Sequence, residues 1–388
     1  VSMSEILEDV NMSWKLMTDD AITQEERKIL GDFVCNSSRI TQGKVVRQFE
    51  KAWSEWLGCK YSVYVNSGSS ANLLIVRALS GIRSKPTWIS QACTWSTAVS
   101  PIMQFANLQL CDVDLNNFGP DLENLEYIFR TQKPKFILLT HLLGFSALSD
   151  ELLELCSKHD VTIIEDCCES HGAEFKGKKV GTHGIASSFS FYYGHHMTTI
   201  EGGMICTDDE NLYHEILLLR SHGLLRELPK EEQEKRKSDK VDPLFTFLRD
   251  GFNVRNTDFH AKLGLMQLPH LDESIRHRNE NLYNFIMCLD SELYHTDFNC
   301  MGCSNFALPI FTKRDNLQKI KDNLKEIGVE YRPCVAGNLH EHPFMKSISQ
   351  LRFDKNVSKI HNNCIYVGNH KDITTEMIEN LCKVLNSL

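Results

Sequence analysis

Two kinds of hydrophobic pattern alternate between Tyr61 and Glu210. Short apolar runs rich in β-branched and aromatic residues are typical of buried strands, and the amphipathic stretches between them, such as SANLLIVRALS and DELLELCSKHD, are typical of helices. The runs are YSVYV, PTWIS, LQLCDVD, KFILLTH, VTIIED, SSFSFY and GGMICT. This alternation predicts an α/β fold with a mostly parallel seven-stranded sheet covered by helices on both faces. Ligands of such folds bind beyond the carboxyl ends of the strands.

The pattern changes after residue 225. The stretch RELPKEEQEKRKSDKVDP begins at Arg226, is rich in charge and predicts a mobile surface loop. A long helical pattern follows Leu268, and two strand-like pieces, SNFALPIFT and VEYRPCV, lie among further helices. We therefore predict a large domain over residues 1–265, which begins with a helical segment, and a smaller carboxy-terminal α+β domain over residues 266–388.

The composition argues against two classes of partner. The 388 residues carry a net charge of -9 and no long run of Lys and Arg, which argues against a nucleic-acid-binding surface. No apolar run approaches the ~20 residues that cross a bilayer, and the first ten residues, VSMSEILEDV, lack the pattern of a secretory signal. The fourteen cysteines are scattered rather than framed as disulfides. We therefore expect free thiols and a cytoplasmic protein without a membrane partner.

A Ser- and Gly-rich turn, YVNSGSSANLL, joins a predicted strand to a predicted helix. Backbone N–H groups and the positive end of a helix dipole at Gly68 and Ser69 would form a phosphate site. An ordinary serine cap at the start of a helix explains the same residues equally well.

Two further segments carry candidate site residues. VTIIEDCCESHGA ends a strand at Asp166 and continues to Glu169. A buried Asp166 would need a positively charged partner, such as a protonated pyridine nitrogen, although a carboxylate that caps the next turn is the simpler reading. Trp95 in QACTWST offers an aromatic face that either stacks on a planar ring or fills the core.

The segment SFSFYYGHHMTTIEGG places Ser190 five residues before a pair of histidines, His195 and His196. A double glycine follows and opens the next strand. Paired histidines could form half of a metal site, but no carboxylate or third histidine lies at metal-ligand spacing, so we predict no metal.

Taken in order, these motifs resemble the DegT-type sugar aminotransferases, a family of pyridoxal-phosphate enzymes of fold type I. The resemblance covers Gly43 to His370 and includes SGSSAN, EDCCESHGA, SFSFYYGHH, EGGMICTDD, RSHG and GFNVRNTDFHAKLGLMQL. It implies that Asp166 contacts the pyridine nitrogen and that Trp95 covers the ring. It further implies that Asn253 of a neighbouring subunit completes the phosphate site, so that the protein is a homodimer with shared active sites. The remaining cofactor-binding residues that it implies are Gly68, Ser69, Glu169 and Ser190.

The chain departs from the family at one position, because His195 stands where most members carry the lysine that holds the cofactor covalently. This departure, together with CVAGNL and YVGNH nearer the carboxyl end, resembles the dehydratase branch of the family. Histidine shuttles a proton but forms no covalent link to the cofactor. The resemblance therefore implies a 3-dehydratase of a nucleotide-linked 4-keto-6-deoxy sugar in deoxysugar biosynthesis for surface polysaccharide. Glutamate would convert pyridoxal phosphate to pyridoxamine phosphate, and the products would be a 3-deoxy-4-keto sugar and ammonia.

The substrate contacts are less specific. A GDP-linked sugar is favoured by the resemblance, and arginines suit a diphosphate. The candidate substrate-binding residues are His196, His222, Arg226, Arg255, Arg332 and Asn338.

Three alternatives stay open at this point. The chain could be a nucleotide-sugar aminotransferase whose lysine was lost naturally or by engineering. It could be an iron–sulfur-dependent sugar dehydratase, because Cys300 and Cys303 have CxxC spacing and Cys334 and Cys364 follow. It could also be a binding protein without catalysis.

Overall fold

The computed structural model describes residues 12–81 and 84–388. The expectation about a secretory signal concerns residues 1–10 and lies outside this part of the chain. In the part that is described, no helix combines the length and the apolar character needed to cross a bilayer.

The described strands form a seven-stranded sheet, a three-stranded sheet and a short hairpin. In chain order they are β1 (Tyr61–Val65), β2 (Thr87–Gln91), β3 (Asn107–Cys111), β4 (Phe136–Thr140), β5 (Thr162–Asp166), β6 (Glu174–Phe175), β7 (Lys178–Lys179), β8 (Ala186–Ser190), β9 (Gly203–Thr207), β10 (Ala307–Phe311), β11 (Tyr331–Pro333) and β12 (Cys364–Gly368). All seven apolar runs picked from the sequence form the strands of the large sheet, so that prediction is confirmed.

The helices lie between these strands and before β1. They are α1 (Gln24–Asn36), α2 (Lys44–Leu57), α3 (Gly68–Ser80), α4 (Ser96–Phe105), α5 (Leu122–Gln132), α6 (Asp150–Lys158), α7 (Glu210–Arg220), α8 (Lys230–Arg236), α9 (Asp258–Gln267), α10 (Leu271–Cys288), α11 (Leu317–Glu326), α12 (Val357–Asn363) and α13 (Thr375–Asn386). Several begin at a capping side chain, as the sequence pattern favours: Ser67, Ser149 and Asp209 each accept a hydrogen bond from the backbone of the first turn.

The large sheet has the order β1-β9-β8-β5-β4-β2-β3. Only β9 is antiparallel to its neighbours within this sheet, and the other pairs are parallel. Asp166 at the end of β5 pairs with Ser188, and Ser190 at the end of β8 pairs with Gly203. The carboxyl ends of β5 and β8 therefore reach the same edge of the sheet, as a parallel arrangement requires.

Both faces of the large sheet are buried. Successive residues of a strand point to opposite faces, and β4 shows the result. Ile137 packs in the cluster that contains Phe49 and Trp53 from α2, whereas Leu138 packs in a cluster that continues to Leu308 of the three-stranded sheet. One core thus joins the large sheet to the carboxy-terminal elements.

The amino-terminal part of the described chain lies against the carboxy-terminal sheet. The amide of Trp14 donates to the carbonyl of Gly328 at 2.9 Å, and its indole Nε1 donates to the carbonyl of Gly368 at 2.9 Å. The predicted domain boundary between residues 265 and 266 falls within α9 and stays a prediction.

The charged stretch after Arg226 contains more regular structure than its composition indicated. It includes α8 and a turn of 3₁₀-helix over Pro243–Phe245, and the amide of Leu225 donates to the carbonyl of Thr246 at 2.9 Å. Directly after it, Leu244 and Phe247 are exposed by 60% and 61%, which the charge pattern did not indicate.

Glu165 ties the end of β5 to two loops. Its carboxylate is fully buried and accepts hydrogen bonds from the amides of Gly181, His183 and Gly184 at 2.7–2.8 Å. The ring of His141 lies 3.1 Å away, and its Nδ1 accepts from the amide of Ala147, so its Nε2 carries the proton and donates to Glu165. Burial alone would raise the pKa of Glu165, but these donors hold it below the ordinary value of 4.5.

Replacement of Glu165 by glutamine should destabilise the fold by about 1–3 kcal/mol, because an NH₂ group would face backbone donors that then lack an acceptor. Thermal and urea unfolding measure this, with Glu154→Gln on the exposed face of α6 as the matched control. Because the pKa of Glu165 is lowered in the folded state, its contribution is present above pH 4.5 and is lost as the pH falls through its folded pKa. A stability equal to wild type at pH 7 would contradict the role assigned to Glu165.

Candidate active site

A cavity of about 490 Å³ opens where the carboxyl ends of β5 and β8 meet the start of α3. Its place agrees with the expectation that ligands bind at this edge of the sheet. Among the described residues that line it, none is a lysine. The predicted site residues that line the cavity are Gly68, Ser69, Trp95, Asp166, Glu169, Ser190, His195 and Arg332.

The start of α3 forms one wall. Ser67 caps the helix by accepting from the amide of Ser70 at 3.0 Å, so the ordinary cap expected as an alternative is present. The same turn also brings the amino end of the helix beside Ser190. A Cβ atom on Gly68 would lie 2.8 Å from both Cys168 Sγ and Ser190 Cβ, so only glycine allows this close approach. The positive end of a helix dipole and a hydroxyl thus face the same space, which suits an anion such as a phosphate.

Asp166 is buried and held in a fixed orientation. Its Oδ2 accepts from Asn72 Nδ2 at 2.9 Å, and its Oδ1 accepts from the amide of Cys168 at 3.1 Å. Asn72 is itself fixed, because its Oδ1 accepts from the hydroxyl of Ser188 at 2.7 Å. The carboxylate is therefore placed in the cavity wall by two neighbouring elements, α3 and β8.

Trp95 and Glu169 form a pair on another wall. The indole Nε1 of Trp95 donates to Glu169 Oε1 at 2.7 Å, and the amide of Leu143 donates to Glu169 Oε2 at 2.9 Å. Trp95 is 44% exposed, so it does not fill the core, and its ring borders the cavity. Burial raises the pKa of Glu169 to about 7, although both donors oppose the shift.

The two adjacent histidines lie in different environments. His195 lines the cavity with Asp166, whereas His196 is buried behind it, 3.1 Å from the carbonyl and 3.0 Å from the hydroxyl of Ser304. Burial, and then the positive charge of Arg278, lower the pKa of His195 to about 3, well below the value near 6.5 of a free imidazole. At neutral pH the imidazole is uncharged and able to accept a proton.

The other candidate residues lie away from this cavity within one chain. Asn338 donates from Nδ2 to Asp354 at 3.3 Å, and Asn253 Oδ1 accepts from Arg255 Nε at 3.2 Å. His222 adopts a left-handed conformation with φ of 60°, and its amide donates to Phe252. Their predicted roles stay predictions.

A second cavity, of about 740 Å³, contains Arg226 and Arg255. It is rich in positive charge, because further arginines line it, and among the described residues only Arg220 of this set forms an ion pair, with Glu50 at 2.7 Å. The other arginines in its lining are Arg39 and Arg47. Two of the candidate substrate residues therefore share one basic cavity rather than the cavity with His195.

In the part of the chain that the structure describes, the potential metal ligands that lie within 4.8 Å of one another are His141, Glu165 and Cys167. The carboxylate there is already surrounded by N–H donors, which leaves little for a metal ion to bind. The four cysteines considered for an iron–sulfur centre do not form such a group among the described residues. This placement removes the support that their spacing gave to that alternative.

Sequence reasoning missed three kinds of residue at this site. Asn72 is part of SGSSAN. Its position about one helical turn after the capping Ser67 was the sequence signal that could have identified it as a site residue. Phe306 and Tyr366 line the cavity from the carboxy-terminal sheet, and Leu16 and Met17 line it from the amino-terminal side. These contacts depend on packing between distant segments, for which the sequence offers no pattern.

Residues 21–386 match the model of the DegT/DnrJ/EryC1/StrS aminotransferase family. The chain belongs to this family. The family resemblance and the fold class predicted from the sequence are thereby confirmed.

Several members of the family are similar over almost their whole length. The GDP-4-keto-6-deoxy-D-mannose 3-dehydratase of Yersinia pseudotuberculosis is 34% identical over 91% of this chain and 93% of its own. The solved Escherichia coli GDP-4-keto-6-deoxy-D-mannose-3-dehydratase with bound hydrated pyridoxal phosphate is 32% identical, with a TM-score of 0.89 over 97% of this chain and 99% of that one. A solved GDP-4-keto-6-deoxymannose-3-dehydratase with a trapped PLP–glutamate geminal diamine is 31% identical, with a TM-score of 0.89 over 96% and 100% of the two chains.

The raised pKa of Glu169 predicts how the stability of the cofactor-free protein changes with pH. An unfolded glutamate loses its proton near pH 4.5, whereas folded Glu169 keeps it to about pH 7, so this residue lowers stability as the pH rises between these values. Glu169→Gln should remove that slope, and its melting temperature should gain on wild type from pH 5 to pH 8. Glu123→Gln, at an exposed position of α5, serves as the control. A constant difference across this range would contradict the raised pKa.

Proposed function

We propose that the chain is a pyridoxal-phosphate-dependent 3-dehydratase of a nucleotide-linked 4-keto-6-deoxy sugar, which uses glutamate as amino donor and releases a 3-deoxy-4-keto sugar and ammonia. The observation that carries the proposal is His195. It lies in one cavity with Asp166 and Trp95, where a family aminotransferase would need a lysine, and no described lysine lines that cavity.

The residues of the cavity fit the cofactor. The amino end of α3 with Gly68, Ser69 and the hydroxyl of Ser190 would hold its phosphate, and Asp166 would pair with its ring nitrogen. Trp95, exposed on the cavity side and fixed by Glu169, would cover the ring. When bound as pyridoxamine phosphate, the cofactor supplies an amine that condenses with the ketone of the sugar and a conjugated ring that accepts electrons.

His195 would act as the base and then as the acid. Its imidazole is neutral at physiological pH, which is the form that would take the proton from C4′. The imidazolium that forms returns this proton to the hydroxyl that leaves C3. His195 thereby ends the step uncharged, as it began. A lysine at this position would also bind the cofactor covalently, and its absence favours dehydration over amino transfer.

The substrates follow from the relatives. The Yersinia pseudotuberculosis relative is named for a GDP-linked 4-keto-6-deoxy sugar, and one solved relative holds an adduct of the cofactor with glutamate. We therefore favour a GDP-linked sugar and glutamate, in deoxysugar biosynthesis for surface polysaccharide. Arg332 in the cavity is the candidate sugar contact, and the basic cavity with Arg226 and Arg255 is the candidate diphosphate contact. The fourteen cysteines are all free, which supports a reducing, cytoplasmic location.

His195→Asn should lower turnover by about 10²–10⁴-fold, because asparagine cannot take up the proton. His196→Asn is the matched neighbour and should cost much less, since its ring lies behind the cavity. Incubation with glutamate and a GDP-linked 4-keto-6-deoxy sugar, followed by mass spectrometry, distinguishes loss of oxygen from gain of nitrogen, and an ammonia assay checks the second product. A stable 4-amino sugar made by the wild type would overturn the assignment in favour of an aminotransferase, and near-normal turnover by His195→Asn would refute the role of His195.

We further propose a homodimer in which Asn253 reaches the phosphate site of the partner subunit. Asn253 is exposed, lies outside the cavity of its own chain and is carried by a segment that runs beside Ser221 and Val65. Asn253→Ala should therefore release pyridoxal phosphate faster on dialysis, with little change in the melting temperature of the cofactor-free protein. Asn362→Ala, on the exposed face of α12, is the control. A monomer in sedimentation experiments that retains full activity would refute the shared site.

A further inference from the structure

Arg278 on α10 is a buried cation without an acidic partner. It is only 6% exposed, and among the described residues no carboxylate forms an ion pair with it. Its Nη1 donates to the carbonyl of Phe306 at 2.9 Å, and its Nη2 donates to the carbonyl of His195 at 3.3 Å. The two terminal nitrogens thus donate to backbone carbonyls, whereas the buried Nε has no hydrogen-bond partner among the described residues.

Such an arrangement is unfavourable in isolation. A buried ion without a counter-charge loses several kcal/mol of hydration, which carbonyl hydrogen bonds offset only in part. Burial lowers the pKa of Arg278 to about 10, so the guanidinium nevertheless stays charged at neutral pH. Methionine or leucine would fill the same volume without this penalty, so the charge requires another explanation.

The two carbonyls that Arg278 holds belong to residues of the active-site cavity. His195 and Phe306 both line it, and their rings lie 5.4 Å apart between centroids. They come from different parts of the chain, the loop after β8 and the start of β10. Arg278 therefore fixes the backbone of the base relative to the opposite wall.

Arg278 is itself held by a chain of asparagines. Asn369 donates from Nδ2 to the carbonyl of Arg278 at 2.8 Å and to Asn305 Oδ1 at 2.7 Å. Asn281, one turn further along α10, donates to Asn369 Oδ1 at 2.9 Å. All of these side chains are buried, so α10 has one position against the carboxy-terminal sheet. A fixed helix lets a guanidinium act as a rigid support.

We propose that Arg278 is a positioning residue for the catalytic base, which holds the main-chain carbonyl of His195 and places a permanent positive charge beside its imidazole. The proposal rests on the function proposed above and extends it to a residue outside the cavity lining. The charge disfavours the imidazolium, so His195 is neutral before the step and its protonated form readily gives the proton back. The two hydrogen bonds from the guanidinium Nη1 and Nη2 fix the position of the main chain that carries the imidazole.

Other titratable and charged groups besides Arg278 surround His195. The titratable or charged side chains near His195 include His171, His196, Cys168, Tyr192, Asp166, Glu169, Glu201, Arg332 and Tyr366. A smaller cavity of about 220 Å³, which both His195 and Arg278 line, adds Asp20, Glu26, Tyr193, His270, His370 and Lys371. Removal of Arg278 alone leaves all of these in place, so a change in the pH profile would report the loss of its charge.

Two variants distinguish the effect of the positive charge from the effect of the two guanidinium hydrogen bonds. Arg278→Met removes both, and Arg278→Lys keeps the charge but loses the two fixed hydrogen bonds. Arg276→Met is the matched control, because Arg276 lies on the exposed side of the same helix and pairs with Glu280 at 3.0 Å. Melting temperatures establish that each variant is folded before it is compared.

The kinetic readout uses the holoenzyme with glutamate and the GDP-linked sugar. Arg278→Met should lower kcat by about 10–100-fold with the sugar KM within about threefold, since misplacement of the base affects the chemical step. The acid limb of its pH–kcat profile should move to higher pH, because the charge that opposes protonation of His195 is gone. Arg278→Lys should keep the wild-type limb and recover part of kcat. A kcat of Arg278→Met within threefold of wild type, or a loss that falls on KM instead, would overturn the proposal.

A second readout needs no activity. In the cofactor-free protein, amide hydrogen exchange of residues 193–197 should be about tenfold faster in Arg278→Met than in wild type or Arg276→Met, because the carbonyl of His195 has lost its donor. Unchanged exchange would refute the positioning role. If the wild type forms no 3-deoxy sugar, the proposed function fails, and the exchange experiment still decides whether Arg278 holds His195.

Discussion

The site depends on a pair of adjacent acids at the end of β5. Because neighbouring residues of a strand face opposite sides of the sheet, Glu165 and Asp166 point into different environments. Glu165 is saturated by N–H donors and locks the loops after β4 and β7 in place. Asp166 points the other way, into the cavity, and keeps its orientation through Asn72. Glu165 stabilises the loops around the site, whereas Asp166 faces the cavity. A shift of one residue in strand register would exchange the directions in which the two side chains point.

The parts that the sequence predicted correctly are those that a local pattern encodes. The alternation of apolar runs located all seven strands of the large sheet, and the strand ends led to Gly68, Asp166 and Ser190, which meet at one edge. The comparison with a family located His195. Its neighbour His196 has the same side chain, so only the backbone path, which turns one ring into the cavity and the other toward Ser304, separates them.

The parts that sequence reasoning missed depend on contacts between distant segments. Arg278 lies in an ordinary amphipathic helix, and nothing in its neighbours reveals that its guanidinium is buried 83 residues from the carbonyl it holds. The lowered pKa of His195 was missed for the same reason, since burial is a property of the assembled chain. Asn253 lies outside the cavity of its own chain, so the role proposed for it requires a second subunit.

The segment from Trp14 to Met17 connects the carboxy-terminal sheet to one wall of the active-site cavity. Trp14 is bonded on both its amide and its carbonyl to the strand-like stretch at Gly328 and Glu330, and its indole is bonded to β12. Three residues later Met17 lies against Gly194, where even a methyl group would come within 2.6 Å of its sulfur, and Gly194 directly precedes His195. Four residues, from Trp14 to Met17, thus connect the carboxy-terminal sheet to the loop that carries His195. The space around His195 is therefore bounded jointly by the amino-terminal segment, the loop after β8 and the carboxy-terminal sheet, which lie far apart in the sequence.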